Sequence, residues 1–383
     1  MIAIRQGRPE DFPLVMEQVV QSFRERTPAH VRFEALRPDA IGASPDKMAG
    51  WRLAEVDGRL AAGIQIIPQR LKLGEAELSV GGVGNVYCWP PFRGHGCMGR
   101  LLERCVNDMQ ANGELLSLLG GDRVRYGHYG WETAGVQREV TLSSRVRRHD
   151  GLPPPPHALE FREYREGVGD DAERMLAAYC RKAACVLRPG LDGFRATLRR
   201  PGLVTYVDDG GGLFAYMTVS PGNRIAEYAG DGAAIERLLR FLLQAGDWSV
   251  ALPPVEFSGA AEDIFLEYAS GCHASPPAMV RVNDLAGLLK AYCGLLERRL
   301  HGWEGRFTLA IDDGEAVTVT CARGRCDMSP SAPSVRPDLV LDRRQMAQLL
   351  FGPFLPRAAV AVDGPWLRLA FPLPIYWGDL DHI

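Results

Sequence analysis

The sequence has no long hydrophobic run and little net charge. No apolar stretch within its 383 residues reaches the roughly 18 residues that a membrane-spanning helix needs, and the opening residues Met-Ile-Ala-Ile-Arg-Gln contain no apolar signal core. The formal net charge at neutral pH is −3, which gives no support to nucleic acid as the main partner. We therefore expect a cytoplasmic protein that binds neither membranes nor nucleic acids.

The nine cysteines also lack the spacing of a metal site. No Cys-x-x-Cys pair occurs, and neither Cys180 with Cys185 nor Cys321 with Cys326 has histidines at finger-like spacing beside it. An odd number of irregularly spaced cysteines is typical of free thiols that are mostly buried. We therefore expect free thiols and no metal ion.

The length and composition predict a globular protein of two or three domains. Apolar residues make up 46% of the sequence and charged residues 24%. Four prolines at residues 153–156 and the Ser-Pro-Pro segment at 275–277 interrupt the chain where neither a helix nor a central strand can continue. We place the domains at residues 1–150, 151–276 and 277–383.

The hydrophobic pattern predicts an α/β (α+β) fold with mixed sheets. Predicted strands at 53–56 and 60–67 flank Asp57-Gly58, a dipeptide typical of a two-residue hairpin turn. A further strand is predicted at 71–80 and a helix at 96–112. The first domain is thus a mixed unit in which antiparallel strands precede a glycine-rich turn.

The second and third predicted domains also alternate helices and strands. Helices at 171–187 and 235–243 alternate with strands at 203–207 and 213–219, without a second glycine-rich turn. The third domain begins with a strand at 279–282.

The most informative stretch is residues 86–102, where a predicted strand passes through two prolines into an Arg-Gly-x-Gly turn that opens a helix. The first N–H groups of a helix have no acceptor within it, and the helix dipole adds partial positive charge there. The stretch therefore predicts a binding site for a pyrophosphate.

Three interpretations of this turn are open from the residues alone. Residues 94–99 satisfy the G-x-G-x-x-G pattern of dinucleotide-binding folds, and Asp122 follows about twenty residues later. The antiparallel strands before the turn argue against that fold, whose motif follows the first strand of a parallel unit. In a second interpretation, the glycines serve helix–strand packing only. The third interpretation follows from a resemblance of these residues to a known family.

Pro90-x-x-Arg93-Gly94-x-Gly96, followed by two leucines, resembles the acetyl-coenzyme A (acetyl-CoA) signature of the GNAT N-acetyltransferase superfamily. The resemblance implies that the preceding strand offers backbone groups to the pantetheine arm and that the turn holds the pyrophosphate. Pro91 and Met98 depart from the usual pattern. The coenzyme-binding residues implied by the resemblance are Val86, Tyr87, Cys88, Arg93, Gly94, His95, Gly96, Cys97, Met98, Gly99, Gly121 and Asp122.

The segment Arg-Tyr-Gly-His-Tyr-Gly-Trp at residues 125–131 is similar to one in the Eis-like aminoglycoside and lysine N-acetyltransferases. Residues 279–286 and 338–352 resemble parts of the sterol-carrier-like domain of that family. The resemblance implies two GNAT-like mixed-sheet domains, the second without a cofactor turn, followed by a sterol-carrier-like α+β domain whose carboxyl terminus reaches the active site. It also implies a hexamer.

Acyl transfer from a thioester to an amine requires a base for the amine and an acid for the departing thiolate. The resemblance makes Tyr126 the general acid, and a tyrosine with a pKa of about 10 is protonated at neutral pH. It makes the terminal carboxylate of Ile383 the general base, although known members commonly end in an aromatic residue. His382 is an alternative base, and a frayed terminus is a further alternative.

The acidic end of the chain bears on the substrate. Asp379, Asp381 and the terminal carboxylate would attract a cationic amine if they face a cleft, and they would be solvated surface acids otherwise. We expect the acceptor to be a small cationic amine: aminoglycoside-like, a polyamine or a lysine side chain. His95 and His128 are expected to form hydrogen bonds or to face solvent rather than to transfer protons.

These observations predict an N-acetyltransferase that moves an acetyl group directly from acetyl-CoA to a primary amine. An acyl-cysteine intermediate at Cys88 or Cys97 is not favoured, because no histidine–acid partner can be placed beside either thiol. The alternative function is a non-catalytic lipid-binding or scaffolding protein with a degenerate transferase module.

Overall fold

The computed structural model describes residues 1–23, 32–147, 150, 161–167, 171–362 and 364–382. Their helices pack on three β-sheets, each of which mixes parallel and antiparallel pairs, so the predicted α/β class is confirmed. None of the helices among these residues combines the length and apolar character required to cross a bilayer.

The described residues form nineteen strands and fourteen α-helices. The strands are β1 (Ile2–Gln6), β2 (Trp51–Val56), β3 (Arg59–Leu73), β4 (Ala76–Cys88), β5 (Leu116–Leu119), β6 (Glu132–Ala134), β7 (Gln137–Leu142), β8 (Arg162–Glu163), β9 (Ala184–Val186), β10 (Val204–Asp208), β11 (Ala215–Ser220), β12 (Arg224–Gly230), β13 (Trp248–Leu252), β14 (Ala269–Ser275), β15 (Ala278–Val282), β16 (Gly305–Ile311), β17 (Ala316–Ala322), β18 (Arg325–Pro330) and β19 (Leu339–Leu341). The helices are α1 (Phe12–Ser22), α2 (Phe33–Leu36), α3 (Pro45–Ala49), α4 (Cys97–Ala111), α5 (Arg123–Tyr126), α6 (Asp171–Cys180), α7 (Gly190–Leu198), α8 (Gly232–Leu242), α9 (Ala260–Glu267), α10 (Leu285–Ala291), α11 (Cys293–Arg299), α12 (Arg343–Phe351), α13 (Arg357–Val360) and α14 (Pro365–Ala370).

The first sheet has the order β1-β2-β3-β4-β5-β15-β6, with β9 also paired to β3. The predicted hairpin is confirmed: Asp57 and Gly58 both have positive φ, at 50° and 76°, as a tight hairpin turn requires. The predicted strand at 71–80 is wrong, because the chain reverses at Gly74 between β3 and β4. Apolar alternation continues on both sides of this turn, so the pattern alone does not show the reversal.

The parallel neighbours β4 and β5 are paired over four residues only, because β5 is much shorter than β4. Their register runs from Val80 opposite Leu116 to Val83 opposite Leu119. Beyond Val83, β4 continues to Cys88 and remains paired with β3 alone. Helix α4 packs on one face of this sheet and α1 on the other. Beyond the end of β5, this edge of β4 has no neighbouring strand in the described part of the chain, immediately before the glycine-rich turn.

The second sheet has the order β14-β7-β13-β12-β11-β10-β8, and the third has the order β18-β17-β16-β19. The predicted helix at 171–187 is too long. Helix α6 ends at Cys180, and the short strand β9 that follows joins the first sheet by pairing with β3. The second unit is thus tied to the first through backbone hydrogen bonds.

Two strands cross the predicted domain boundaries. β7, in the predicted first domain, pairs with β13 and β14 of the second sheet. β15, in the predicted third domain, lies between β5 and β6 of the first sheet. Proline-rich segments mark where the chain leaves a sheet, but they do not determine which sheet a later strand joins. The prolines at 153–156 lie outside the described residues.

Cys321 and Cys326 form a disulfide, so the expectation of free thiols is wrong for this pair. They occupy opposite positions of the β17–β18 hairpin, and the cross-strand register brings their sulfur atoms together. The other seven cysteines are free.

Candidate active site

A cavity of about 700 Å³ lies at the carboxyl end of β4. It is lined by eight residues that the sequence predicts, Val86, Tyr87, Cys88, Arg93, Gly94, Gly96, Cys97 and Met98, and also by Ser22, Phe23, Phe92 and Arg125. The structure therefore brings the end of β4, the glycine-rich turn and the start of α4 around one space. Phe92 and Arg125 lie within the conspicuous motifs, whereas nothing in the linear sequence marks the end of α1 as part of the site.

The glycine-rich turn is open towards this cavity. Gly94 and Gly96 have φ values of +83° and +79°, a backbone region that favours glycine. A Cβ atom at either position would meet no atom within 4 Å, so there is free space above the turn. The side chains of Arg93 and His95 are exposed beside it.

The N-terminus of α4 presents backbone donors to the same space. The first helical hydrogen bond runs from Arg100 N to Gly96 O at 3.4 Å, which leaves the N–H groups of Cys97, Met98 and Gly99 without intrahelical acceptors. Gly96, at the N-cap, has no side chain to cap them. These donors, the dipole of the fifteen-residue helix and the nearby Arg93 guanidinium fit a pyrophosphate.

Four predicted coenzyme-binding residues shape the surroundings of the cavity. His95 places Nδ1 3.1 Å from Phe92 O, which agrees with its expected hydrogen-bonding role. A Cβ at Gly99 would lie 2.9 Å from the Tyr129 hydroxyl, and a Cβ at Gly121 would lie 2.9 Å from the ring of Tyr126. The carboxylate of Asp122 accepts a hydrogen bond from Val124 N at 2.9 Å. Asp122 therefore caps α5, and its contact with the coenzyme stays a prediction.

The two departures from the family pattern have different surroundings. Pro91 is exposed in a single turn of 3-10 helix at Pro90–Phe92. Met98 lines the cavity and packs partly against the apolar cluster beneath α4. Neither side chain closes the open space above Gly94 and Gly96.

The candidate acid, Tyr126, is the last residue of α5 and is only 6% exposed. It belongs to the apolar cluster that also contains Val83, Leu119 and the fully buried Trp131. Trp131 donates its indole N–H to Ser117 Oγ at 3.1 Å. The aromatic segment predicted from the sequence thus holds the ring of Tyr126 in this cluster, and Tyr126 is not among the residues that line the cavity of about 700 Å³.

A buried carboxylate connects α5 to the third unit. Glu132 is 2% exposed and accepts hydrogen bonds from Arg123, at the start of α5, and from Arg344 of α12, with Arg344 Nε at 2.9 Å. Burial by itself would raise the pKa of Glu132, but hydrogen bonds from the two guanidinium groups hold it below its usual value. The orientation of the helix that carries Tyr126 therefore depends on a residue about 220 positions later.

The end of the chain is anchored as far as His382. Trp377 donates to Gln69 Oε1 at 3.1 Å, and Gln69 donates to Asp381 O at 2.9 Å. Arg37 donates to His382 O at 2.8 Å. Ile383, the predicted base, lies outside the described residues. The alternative of a frayed terminus therefore stays a prediction for Ile383, whereas Trp377, Asp381 and His382 are held by these hydrogen bonds.

The carboxylates of Asp379 and Asp381 each form an ion pair with an arginine. Asp379 is paired with Arg224, with Nη2 at 2.9 Å, and the buried Asp381 is paired with Arg188. Because both negative charges have arginine partners, they anchor the end of the chain instead of facing a substrate.

The side chain of His382 is partly buried and can accept a proton at neutral pH. Its ring stacks on Trp377, with ring centroids 4.4 Å apart. Burial lowers the pKa of His382 below its usual value, so the imidazole is neutral at neutral pH. It therefore remains an alternative base.

The cysteines of the cavity have the wrong protonation state for nucleophiles. Burial raises the pKa of Cys88 and of Cys97 above the value of an ordinary thiol. Both are therefore protonated thiols at neutral pH, which agrees with the expectation that no acyl-cysteine forms.

Residues 3–134 match the family model described as an acetyltransferase (GNAT) domain. No curated protein matches the chain. Among solved structures, the chain is similar to a GCN5-related N-acetyltransferase from Kribbella flavida, at 18% sequence identity and a TM-score of 0.71, over 100% of this chain and 98% of that chain. It is also similar to Eis1 from Mycobacterium abscessus, at 14% identity and a TM-score of 0.66, over 97% and 96% of the two chains. These similarities establish a shared fold along the chain.

Proposed function

Since residues 3–134 form a GNAT acetyltransferase domain and the chain is an acyltransferase, we propose that it transfers an acetyl group from acetyl-CoA directly to a primary amine. The observation that carries the proposal is the open turn from Arg93 to Gly99 beside the cavity at the carboxyl end of β4. Free backbone donors and a guanidinium converge there on a space large enough for an extended cofactor.

Acetyl-CoA supplies the acetyl group as a thioester. Different residues of the cavity would bind its pantetheine arm and its pyrophosphate. The side chain of Tyr87 packs beneath α1 with Trp51, so its backbone is the part that can reach a pantetheine arm. The unpaired edge of β4 after Val83 offers such backbone groups. The turn and Arg93 would hold the pyrophosphate.

Tyr126 is the proposed general acid. Direct transfer forms a C–N bond, breaks a C–S bond, takes a proton from the amine and delivers one to the departing sulfur. A tyrosine hydroxyl that is protonated at neutral pH can deliver that proton. Its place in one cluster with Val83 and Leu119, where the pairing of β4 and β5 ends, supports this role. The bond from Arg123 to Glu132 holds the helix that carries it.

The carboxylate of Ile383 is the proposed general base, with His382 as the alternative. The anchoring of Trp377, Asp381 and His382 supports the proposal, because it holds the last turn of the chain in one place. A terminal carboxylate, with a reference pKa of about 3.3–3.7, is ionised at neutral pH and can accept a proton.

We propose that the acceptor is a small cationic amine or a lysine side chain. We also propose an Eis-like arrangement with a sterol-carrier-like third domain. The proposed assembly is a homo-oligomer, specifically a hexamer. The similarity to Eis1 over 97% of this chain includes the region of the third sheet and supports this architecture at the level of fold. The acceptor class rests on the family resemblance, because Asp379 and Asp381 have arginine partners. A non-catalytic lipid-binding protein is not favoured, since the cofactor turn is open and complete.

Coenzyme specificity can be measured by thermal unfolding. At a concentration of 100 times its Kd, acetyl-CoA should stabilise the protein by about 2.7 kcal/mol, whereas NAD should leave the Tm unchanged. Gly96→Val should abolish the shift, because a β-branched residue is strained at a φ of +79° and fills the open turn. Gly302→Val is the matched control: Gly302 has a φ of +81° and open surroundings in another part of the chain. A shift with NAD alone would overturn the assignment.

Removing the terminal residue tests whether the carboxylate of Ile383 or the imidazole of His382 is the general base. Deletion of Ile383 should lower kcat by about 100-fold or more, while the KM for acetyl-CoA stays unchanged. Ile383→Ala, which keeps a carboxylate at the same position, should retain most of the activity. The assay is thiol release with the best acceptor from a panel of lysine peptides, spermidine and kanamycin. Full activity after the deletion, combined with loss of activity in His382→Ala, would assign the base to His382 instead.

A further inference from the structure

A second cavity, of about 450 Å³, lies at a gap along one edge of β3. β2 pairs with β3 only as far as Gln65, and β9 pairs with it only from Leu71. Between them, one edge of β3 has no neighbouring strand among the described residues. None of the residues that line this cavity lines the coenzyme cavity.

The edge of β3 offers acceptors rather than donors to this cavity. On this side Ile66 donates its N–H to Gly50 O at 2.9 Å, and Arg70 O accepts from Leu187 N at 2.8 Å. Alternate residues of a strand direct their backbone groups to the same side, so Pro68, midway between them, presents its backbone to the gap. A proline has a carbonyl but no N–H. The gap therefore exposes an acceptor without a matching donor.

Most charged groups of the cavity already have partners. Arg37 is paired with Asp39 at 2.8 Å, and Arg188 is paired with Asp381. Lys47 donates to Pro38 O at 2.8 Å. These pairs leave little positive charge for an anionic ligand.

Glu114 differs from these groups. Its side chain lines the cavity, is 4% exposed, and has a buried Oε2 atom without a hydrogen-bond partner in the described part of the chain. Arg52 is near enough to act on it electrostatically, but its donors are directed to Asp108, Ala49 O and Trp51 O. Glu114 is thus a carboxyl group with unused hydrogen-bonding capacity.

Burial without a partner destabilises a folded protein, so this carboxyl group has no evident structural benefit. Burial also raises the pKa of Glu114 to about 7. A Cβ atom at Gly81 of β4 would lie 2.7 Å from Oε2, so the chain leaves room for the carboxyl group where any other residue would crowd it. A buried titratable group in a cavity with a few convergent polar groups is typical of a binding site.

We propose that the cavity at the gap in β3 is a second binding site for a small organic ammonium ion, whose N–H groups are accepted by Glu114 and by the carbonyl oxygen of Pro68. An ionised carboxylate and a carbonyl oxygen are both acceptors, and an ammonium group carries only donors. The site is separate from the coenzyme cavity, but Arg37 and Asp381, which line it, also hold the end of the chain that carries the proposed base. This second site does not rest on the proposed function.

The probe is tetramethylputrescine, a tertiary diamine that is protonated at neutral pH and has no primary amine to acetylate. Calorimetric titration of the full chain, without acetyl-CoA, should detect binding that Glu114→Gln weakens by about tenfold or more, since a neutral amide replaces the carboxylate. Glu103→Gln, which neutralises an exposed acid on α4, is the matched control and should bind as the unmodified protein does.

The pH dependence is a second readout. Between pH 6 and pH 8 the ionised fraction of a carboxyl group with a pKa of about 7 rises about tenfold, so binding should strengthen by a similar factor. Arg52 and Asp108, the charged groups that act on Glu114, keep their charges over this range. Glu114→Gln should remove the dependence and should not lower the Tm. Equal affinity of the unmodified protein and Glu114→Gln, or absence of binding to both, would overturn the proposal.

Discussion

Tyr126→Phe is expected to lower kcat for acetyl transfer by about 100-fold to 10,000-fold, the range in which a positioned general acid contributes. The substitution removes only the hydroxyl group and leaves the ring in its cluster with Leu119 and Trp131. The KM for acetyl-CoA should stay unchanged, because the cavity that would hold the coenzyme is lined by the turn and the end of β4. The measurement is initial-rate thiol release at saturating acceptor.

Tyr206→Phe is the matched control, since it removes a hydroxyl group from β10 in the second sheet. It should retain full kcat. A Tyr126→Phe variant with unchanged kcat would show that another group protonates the sulfur. A variant with raised KM and unchanged kcat would place Tyr126 in coenzyme binding instead.

Arg188→Met is expected to lower the free energy of unfolding by about 3–5 kcal/mol, the usual result of breaking a buried ion pair by removing one partner. The Arg188 side chain is 5% exposed and lies between Asp381 and Glu227, whose side chains are 2% and 5% exposed. Its loss leaves two buried carboxylates without their cation. The first unfolding transition seen by calorimetry should therefore move to lower temperature.

An exposed pair provides the control for this prediction. Arg70 and Glu77 form an ion pair on the first sheet with side chains that are 68% and 51% exposed. Arg70→Met should change stability by less than about 1 kcal/mol, because water screens such a pair. Equal Tm values for Arg188→Met and Arg70→Met would contradict a stabilising role for the buried cluster. Activity should fall in Arg188→Met if the anchored end of the chain supplies the base.

Much of the first unit could be predicted from the sequence because its signals are local. The Asp57-Gly58 hairpin, helix α4 and the open turn at Gly94 and Gly96 each depend on a few adjacent residues with strong backbone preferences. Eight of the twelve predicted coenzyme-binding residues line one cavity for the same reason. The errors at Gly74 and in the helix that begins at Asp171 arose where an apolar pattern continues through a turn.

The surroundings of the candidate acid and base could not be predicted in this way. The role of Glu132 depends on Arg344, and that of Asp381 on Arg188, and neither pairing has a sequence signal. From the sequence alone, Asp379 and Asp381 could face a substrate cleft or be solvated surface acids, because the sequence shows their charges but not their arginine partners. Whether a carboxylate has an arginine partner depends on the distance between the two side chains in the folded protein, not on their separation in the sequence.

The sequence by itself determined the local structure: the turn that is open to a pyrophosphate, the helix behind it and the position of Tyr126 after β5. These features follow from residues within one or two turns of each other, whose backbone preferences act without distant contacts. Only the tertiary structure decided that β15 completes the first sheet and that α12 orients the helix carrying Tyr126. It also decided that Oε2 of Glu114 is buried without a hydrogen-bond partner among the described residues. Strand pairing, ion pairing and burial depend on contacts between residues far apart in the chain, and these contacts exist only once the units have packed together.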